Sequence, residues 1–127
     1  MNKKLFLFIR IIIAIILLQT LRYKFTAHPD SVYIFSALGL EPYGRIGIGI
    51  LELIAAILIL IPRSVWLGSV LVIGLMGGAI MSHITQIGIE INNDGGLLFS
   101  MALGLFILSI ITLFNERKKL PFIGSKL

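Results

Sequence analysis

The stretch Leu5–Leu21, LFLFIRIIIAIILLQTL, decides the fold of this chain. A helix of roughly 17–25 apolar residues is long enough to cross the hydrocarbon core of a bilayer. Arg10 interrupts the run, and no small-x-small cleavage site precedes its polar flank, so we expect a retained membrane helix and not a cleaved signal peptide. An arginine in a bilayer costs at least about 2.5–3.5 kcal/mol, so its side chain is expected to face a partner inside a bundle.

Three further apolar runs follow, and each has the length and composition of a membrane span. Pro62 ends the second run because proline cannot continue a helix, and Asn92-Asn93-Asp94-Gly95 is a turn and helix-start sequence before the fourth. We predict an all-α integral membrane four-helix bundle that forms a single domain over residues 1–127. Its helices are expected at residues 5–21, 45–61, 64–87 and 95–114, with a basic tail at 115–127.

The segment Arg22–Gly44 is long for a link between two packed helices. Within it, His28-Pro29-Asp30-Ser31 has the residue types of a helix start, and apolar residues recur after it at helical spacing. We therefore predict a short amphipathic helix at Asp30–Leu38 in the loop between the first two spans. It lies either as a lid over the bundle or as an ordered segment without that role.

The composition narrows the class of protein. Of the 127 residues, 57% are hydrophobic, and the mean hydropathy is +1.03, far more apolar than a soluble domain of this length. The absence of cysteine excludes disulfides, thiolate nucleophiles and iron–sulfur clusters in this polypeptide. Two histidines without cysteine argue against a transition-metal site, and no nucleophile motif is recognisable, so the sequence favours a non-enzymatic protein with no metal. The basic residues lack the aromatic platforms that nucleic-acid binding would use, and no nucleic-acid partner is expected.

The net charge of +5 is distributed unevenly between the two ends of the predicted bundle. With four spans both termini share one side, which carries the basic residues Lys3, Lys4, Arg63, Arg117, Lys118, Lys119 and Lys126. The opposite side carries Arg22, Lys24 and Arg45 together with most of the acidic residues. Because basic loops stay in the cytoplasm, we expect an integral protein of the bacterial inner membrane with both termini cytoplasmic.

Three ionisable residues lie inside the apolar runs: Arg10, Glu52 and His83. Arg10 and Lys24 are 14 residues apart, which places them on nearly the same helix face, and Glu52 lies near the middle of its own helix. Either charge alone is costly in a bilayer, so we predict a buried Arg10–Glu52 ion pair.

These polar residues have two interpretations. In the first, the Arg10–Glu52 pair is a structural staple that fixes helix register. In the second, Glu52 and His83 bind a polar head group or relay a proton, because histidine exchanges protons near neutral pH. The candidate head-group site then consists of Glu52, His83, Lys24 and Gln19, in the half of the bundle away from the termini.

Small residues recur at four-residue spacing in the last two spans. Gly74 and Gly78 form one such pair, and Ser100 and Gly104 form another. This spacing is common where membrane helices approach closely, so the sequence predicts tight helix contacts at both pairs.

Several of these residues belong to motifs of a known family. The motifs are Arg10 with Lys24, Leu38-Gly39-Leu40-Glu41-Pro42, Leu51-Glu52-Leu53, Leu60-Ile61-Pro62-Arg63 and Gly78-Ala79-Ile80-Met81-Ser82-His83. From about Arg10 to Phe114 the chain resembles the DoxX-like family of small four-helix membrane proteins, related to the DoxX and DoxD group.

The resemblance implies an integral four-helix bundle. Members of the wider group are associated with quinone-linked oxidoreductases, such as those that oxidise thiosulfate, or with oxidative-stress membrane complexes. Others act in the assembly of membrane proteins. The resemblance favours a non-catalytic or accessory subunit in the lipid bilayer. Such a subunit would dock on a membrane-protein partner or redox enzyme, or form a homo-oligomer. The alternative is a quinone- or lipid-binding redox subunit with Glu52, His83 and Lys24 lining the head-group site. A small oligomeric transporter is the third hypothesis.

Reporter fusions test the predicted orientation. A reporter fused at Lys126 and one fused at Asn93 should report from opposite sides, with the Lys126 fusion cytoplasmic, because the basic residues cluster at the terminal side. A Lys126 fusion that is active outside the cytoplasm would contradict the orientation.

Overall fold

A computed structural model describes residues 1–91, 94–121 and 124–126 of the chain. Over these residues, five α-helices carry the fold: α1 (Lys3–Phe25), α2 (Pro29–Ala37), α3 (Tyr43–Leu60), α4 (Val65–Ser82) and α5 (Leu97–Asn115). A π-helical turn at His83–Ile87 extends α4, and 3-10 turns lie at Pro62–Ser64, Arg117–Lys119 and Gly124–Lys126. The predicted turn residues Asn92 and Asn93, and Phe122, Ile123 and Leu127 of the basic tail, lie outside the described residues.

Within the described part of the chain, four helices are long and apolar enough to cross a membrane. They are Lys3–Phe25, Tyr43–Leu60, Pro62–Ile87 with its π-helical turn, and Leu97–Asn115, with mean hydropathies between 1.9 and 2.5. Large apolar side chains such as Ile15, Ile57 and Ile107 are half or more exposed on the outside of the bundle. Since an apolar exterior suits hydrocarbon and not water, the predicted fold class is confirmed: an all-helical bundle with four membrane-length helices.

The four long helices form a closed ring in the order α1, α3, α4 and α5, and α1 also contacts α5. The start of α1, the turn between α3 and α4, and the end of α5 lie at one end of the bundle. We call this the terminal end. The opposite end holds α2. The core between the helices consists of Ile13, Leu17, Ala55, Ala56, Ile59, Val65, Val72, Met76, Ala102 and Leu105. The predicted short helix between the first two spans is confirmed as α2, and it contacts α1 and α3.

Arg10 caps the end of α3. Its Nε donates to the carbonyl oxygen of Ile59 at 2.8 Å, and its Nη2 donates to that of Leu60 at 2.9 Å. The last four carbonyls of a helix have no intrahelical donor, and Pro62 has no amide hydrogen to offer Leu58. The Ser64 hydroxyl takes that place and donates to the Leu58 carbonyl at 2.9 Å. Two side chains therefore satisfy three carbonyls at the end of this membrane-length helix.

Arg45 makes the reciprocal contact at the other end of the same helix pair. It donates from Nη1 to the backbone carbonyl of Lys24, near the end of α1, and from Nε to both oxygens of Glu41, at 2.8 and 3.0 Å. Arg10 and Lys24 are 14 residues apart on α1, and Arg45 and Ile59 are 14 apart on α3. The two arginines thus fix the antiparallel register of α1 against α3 at both ends.

The predicted Arg10–Glu52 ion pair is not formed, and this register is the reason. The contact between Arg10 and Ile59 sets Glu52 seven residues away along α3, about 10 Å at 1.5 Å per residue. Glu52 pairs instead with Lys24, whose Nζ lies 3.1 Å from Oε1. The prediction placed the middles of the two apolar runs at the same depth in the membrane. In the structure, the unpaired carbonyls at the end of α3 determine where Arg10 binds.

Close helix contacts occur at other glycines than those predicted. A Cβ on Gly68 would lie 2.9 Å from the backbone nitrogen of Ile59, and a Cβ on Gly49 would lie 2.8 Å from the Phe25 ring. These two positions bring α3 against α4 and α1. In contrast, a Cβ on Gly74, Gly78 or Gly104 would meet nothing within 4 Å, so these glycines leave space beside their helices.

Asp94 organises the connection between α4 and α5. Its carboxylate accepts from the backbone amides of Ile91 at 3.0 Å, Gly96 at 2.8 Å and Leu98 at 3.3 Å. Burial opposes the charged form, but the amides of Ile91, Gly96, Leu98 and Leu97 outweigh it, and the pKa of Asp94 falls below its usual value of 3.8. The ionised carboxylate therefore stabilises the start of α5.

We expect Arg10→Leu to lower the free energy of unfolding by roughly 2–4 kcal/mol, because each buried acceptor left without a donor costs about 1–3 kcal/mol. Arg22→Leu is the control, since Arg22 is exposed, and should change stability by less than about 0.5 kcal/mol. Denaturation in mild detergent measures both. Adding Glu52→Leu to Arg10→Leu should deepen the loss, because the two are not partners, and recovery in the double variant would contradict this assignment.

Asp94→Ala should lower the free energy of unfolding by about 1 kcal/mol at neutral pH, as expected for loss of a helix-capping side chain. A carboxyl whose pKa is lowered by folding stabilises the protein above its unfolded-state pKa and loses that contribution as the pH falls through the folded-state pKa. The stability difference between wild type and variant should therefore shrink below a pH of 3.8. Thermal denaturation across a pH series tests this, and a difference that persists unchanged at lower pH would count against the charge assignment.

Candidate functional site

Glu52 and Lys24 form a buried ion pair in the half of the bundle away from the termini. The Lys24 ammonium lies 3.1 Å from Oε1 and 3.3 Å from Oε2 of Glu52, with side-chain exposures of 15% for Lys24 and 2% for Glu52. The Thr20 hydroxyl lies 3.0 Å from Oε2 and 2.8 Å from the Leu17 carbonyl, so it shares its hydrogen between two acceptors. The carboxylate is thereby held by one cation and one hydroxyl, both from α1.

His83 opens the π-helical turn that ends the third span. Its Nδ1 lies 2.8 Å from the carbonyl oxygen of Gly88, and because a carbonyl only accepts, Nδ1 carries the proton. Nε2 of the neutral ring is then the free acceptor. The ring also packs edge-on against Phe99, with centroids 5.4 Å apart. Isolated π-helical turns often occur at functional sites, and this one turns an imidazole into the bundle.

A cavity of about 320 Å³ lies between these groups. Glu52, Lys24, Thr20 and His83 line it, on α1, α3 and the π-helical turn. The rest of the wall is mainly apolar and includes side chains of α4 and α5. Small-molecule sites have this composition, a largely apolar wall with a few convergent polar groups.

Helix α2 forms part of the cavity wall at the end of the bundle away from the termini. Pro29 occupies its first turn, and the His28 Nδ1 accepts from the Asp30 amide at 3.1 Å, which caps its start. Ser31 and Phe35 are buried and line the cavity, while Tyr33 on the other face is 47% exposed. The face of α2 that carries Ser31 and Phe35 therefore lies against the space around Glu52 and His83.

Of the four candidate site residues, Glu52, His83 and Lys24 line one cavity, and Gln19 does not. Gln19 is exposed on the outside of α1, because its side chain points about 100° away from that of the next residue. Thr20, which the sequence analysis did not name, takes the place beside Glu52 that was predicted for Gln19. The detectable signal was its four-residue spacing from Lys24, which puts both on one helix face. Gly74 and Gly78, expected at a helix contact, line the cavity instead.

Most of the chain matches a known protein family. The sequence profile of the DoxX-like family matches residues 8–111, which include Arg10, Lys24, Glu52 and His83. No curated protein and no solved structure matches the chain. Together with four apolar helices of membrane length, a match over this share of the sequence shows that the chain is an integral membrane protein and belongs to the DoxX-like family.

Proposed function

We propose that this protein binds an amphipathic small molecule in the cavity beneath α2, and that the ligand is a quinone or a lipid. The observation that supports this most directly is the convergence of Lys24, Glu52 and His83 from separate elements on one largely apolar space of about 320 Å³. A charged pair kept only for helix register would not need a cavity beside it.

The available hydrogen-bonding groups indicate the head-group chemistry. A lysine ammonium has three donors, and Lys24 directs its contacts to a single partner, Glu52, so a donor is left for a ligand oxygen. His83 Nε2 offers an acceptor on the other side, with Nδ1 held by Gly88. A quinone carbonyl matches the ammonium, and the hydroxyl of the reduced quinol matches Nε2. A lipid head group with an oxygen acceptor and a hydroxyl has the same complementarity.

In this proposal the protein supplies binding, orientation and proton exchange. Histidine can take or give a proton near neutral pH, and His83 is buried in a turn that α2 contacts. Electron transfer would belong to a redox partner in the membrane, so the chain acts as a ligand-binding subunit of an oxidoreductase. A subunit that only docks on its partner is the competing hypothesis, and the experiment below separates the two.

We further propose that both termini face the cytoplasm. The support is the distribution of charge: Lys3, Lys4 and Arg63 lie at the terminal end of the bundle together with the basic turn Arg117–Lys119. On this orientation, Lys24, Glu52 and His83 lie in the outer half of the membrane.

Filling the cavity tests the proposal without removing a charge. Gly78→Leu adds a side chain at a cavity-lining position where a Cβ meets nothing within 4 Å. Gly104→Leu is the matched control, because Gly104 has the same open space on α5 but does not line the cavity. After purification in mild detergent, mass spectrometry of extracted quinones and lipids should show at least about tenfold less ligand with Gly78→Leu, equivalent to about 1.4 kcal/mol.

Gly104→Leu should retain the ligand at the wild-type level. Equal retention by both variants, or a wild-type protein that carries neither quinone nor a stoichiometric lipid, would contradict ligand binding. The docking-subunit hypothesis would then be the better account.

A further inference from the structure

A second cleft lies at the terminal end of the bundle, far from the cavity beneath α2. It is an open groove formed by the start of α1, the turn between α3 and α4, and the end of α5. Of the residues that the structure describes, none lines both this cleft and the first cavity. Its polar side includes Lys3, Arg10, Glu116 and Lys119, and its apolar side includes Phe6 and Leu7.

Arg10 supplies a fixed cation to this cleft. The residue is 6% exposed, and its Nε and Nη2 are held by the Ile59 and Leu60 carbonyls. Among the described residues, no acceptor contacts Nη1, so two of its N–H groups have no protein partner. The guanidinium carbon also lies 5.5 Å from the centre of the Phe6 ring, on the apolar side of the cleft. A planar, pre-oriented guanidinium with free donors is suited to phosphate oxygens.

Lys119 supplies a second cation at the rim. Its Nζ lies 2.9 Å from Oε2 of Glu116, whose side chain is 8% exposed, while the Lys119 side chain is 56% exposed. The buried carboxylate thus holds the ammonium at the mouth of the cleft. Because Glu116 offsets one of the charges of Lys3, Arg10 and Lys119, the cleft keeps an excess of positive charge.

We propose that this cleft binds the phosphate diester of an anionic membrane phospholipid. The cations face the phosphate, and the acyl chains lie along Phe6 and Leu7, where Leu7 is 47% exposed on the apolar outer surface. Basic pockets between membrane helices are suited to such head groups. Free phosphate would match the cations but not the apolar wall, and the wall therefore favours a lipid.

Two matched pairs of variants of the full chain test this site. Lys119 lines the cleft and Lys118 does not, although both lie in the 3-10 turn Arg117–Lys119 and both are exposed. Lys3 and Lys4 form the second pair, since Lys3 lines the cleft and Lys4 does not. Within each pair the substitution to Gln removes the same charge from the same end of the bundle.

The probe is phosphatidylglycerol, compared with phosphatidylcholine of the same chains, added to delipidated protein in mild detergent and counted by native mass spectrometry. We expect phosphatidylglycerol to bind more tightly, Lys119→Gln and Lys3→Gln to weaken it about tenfold, and Lys118→Gln and Lys4→Gln to change it less than about twofold. If Lys119→Gln does not fold because Glu116 loses its partner, the Lys3 and Lys4 pair decides the question.

Three results would overturn the proposal. Equal losses within each matched pair would mean a diffuse charge attraction and not a site. Equal affinity for phosphatidylglycerol and phosphatidylcholine would mean that the excess positive charge of the cleft does not select the lipid. Displacement of phosphatidylglycerol by an equimolar amount of inorganic phosphate would identify a site for the free anion and not for a lipid.

Discussion

The packing of α1 against α3 depends on two arginines that each cap the end of the other helix. Water cannot reach backbone carbonyls in the hydrocarbon, so a helix that stops near the membrane needs donors from its neighbours. Arg10 supplies them to the end of α3, and Arg45 supplies one to the end of α1. Since the capped positions are equally spaced on both helices, a slip of one residue would break both contacts together. The register is therefore fixed more firmly than apolar packing alone would fix it.

That register decides the surroundings of Glu52. It places the carboxylate between the two capping contacts, where Lys24 and Thr20 reach it and Arg10 does not. The α1–α3 pair then forms one polar wall of the cavity, while Gly74 and Gly78 leave room on the side of α4. A buried ion pair beside open space differs from one enclosed by packed side chains, because a ligand can share its donors. The same α1 residue, Arg10, also contributes to the cleft at the terminal end, so one helix connects the two proposed sites.

Much of this arrangement could be predicted from the sequence. Hydropathy predicted the four spans, and the helix-start residues predicted α2. The cost of charge in a bilayer pointed to Glu52 and His83, and the same-face spacing with Arg10 added Lys24. The partner of Arg10 could not be predicted, because the free backbone carbonyls at the end of α3 do not show in a comparison of side chains. Gln19 and Thr20 are adjacent, and only the helix register decides which one faces inward. Small-residue spacing at Gly74 and Gly78 was equally compatible with a tight contact and with a void.

Gly74 and Gly78 also have a consequence for how a ligand arrives. Both are exposed and both line the cavity, so the space beneath α2 is open along the side of α4, a helix of membrane length. A molecule that enters there partitions into the membrane first and then diffuses sideways in two dimensions. Occupancy would then follow its mole fraction among the lipids, and a compound almost insoluble in water could saturate the protein. Affinities measured for such a ligand have meaning only when the amount of detergent or lipid is stated.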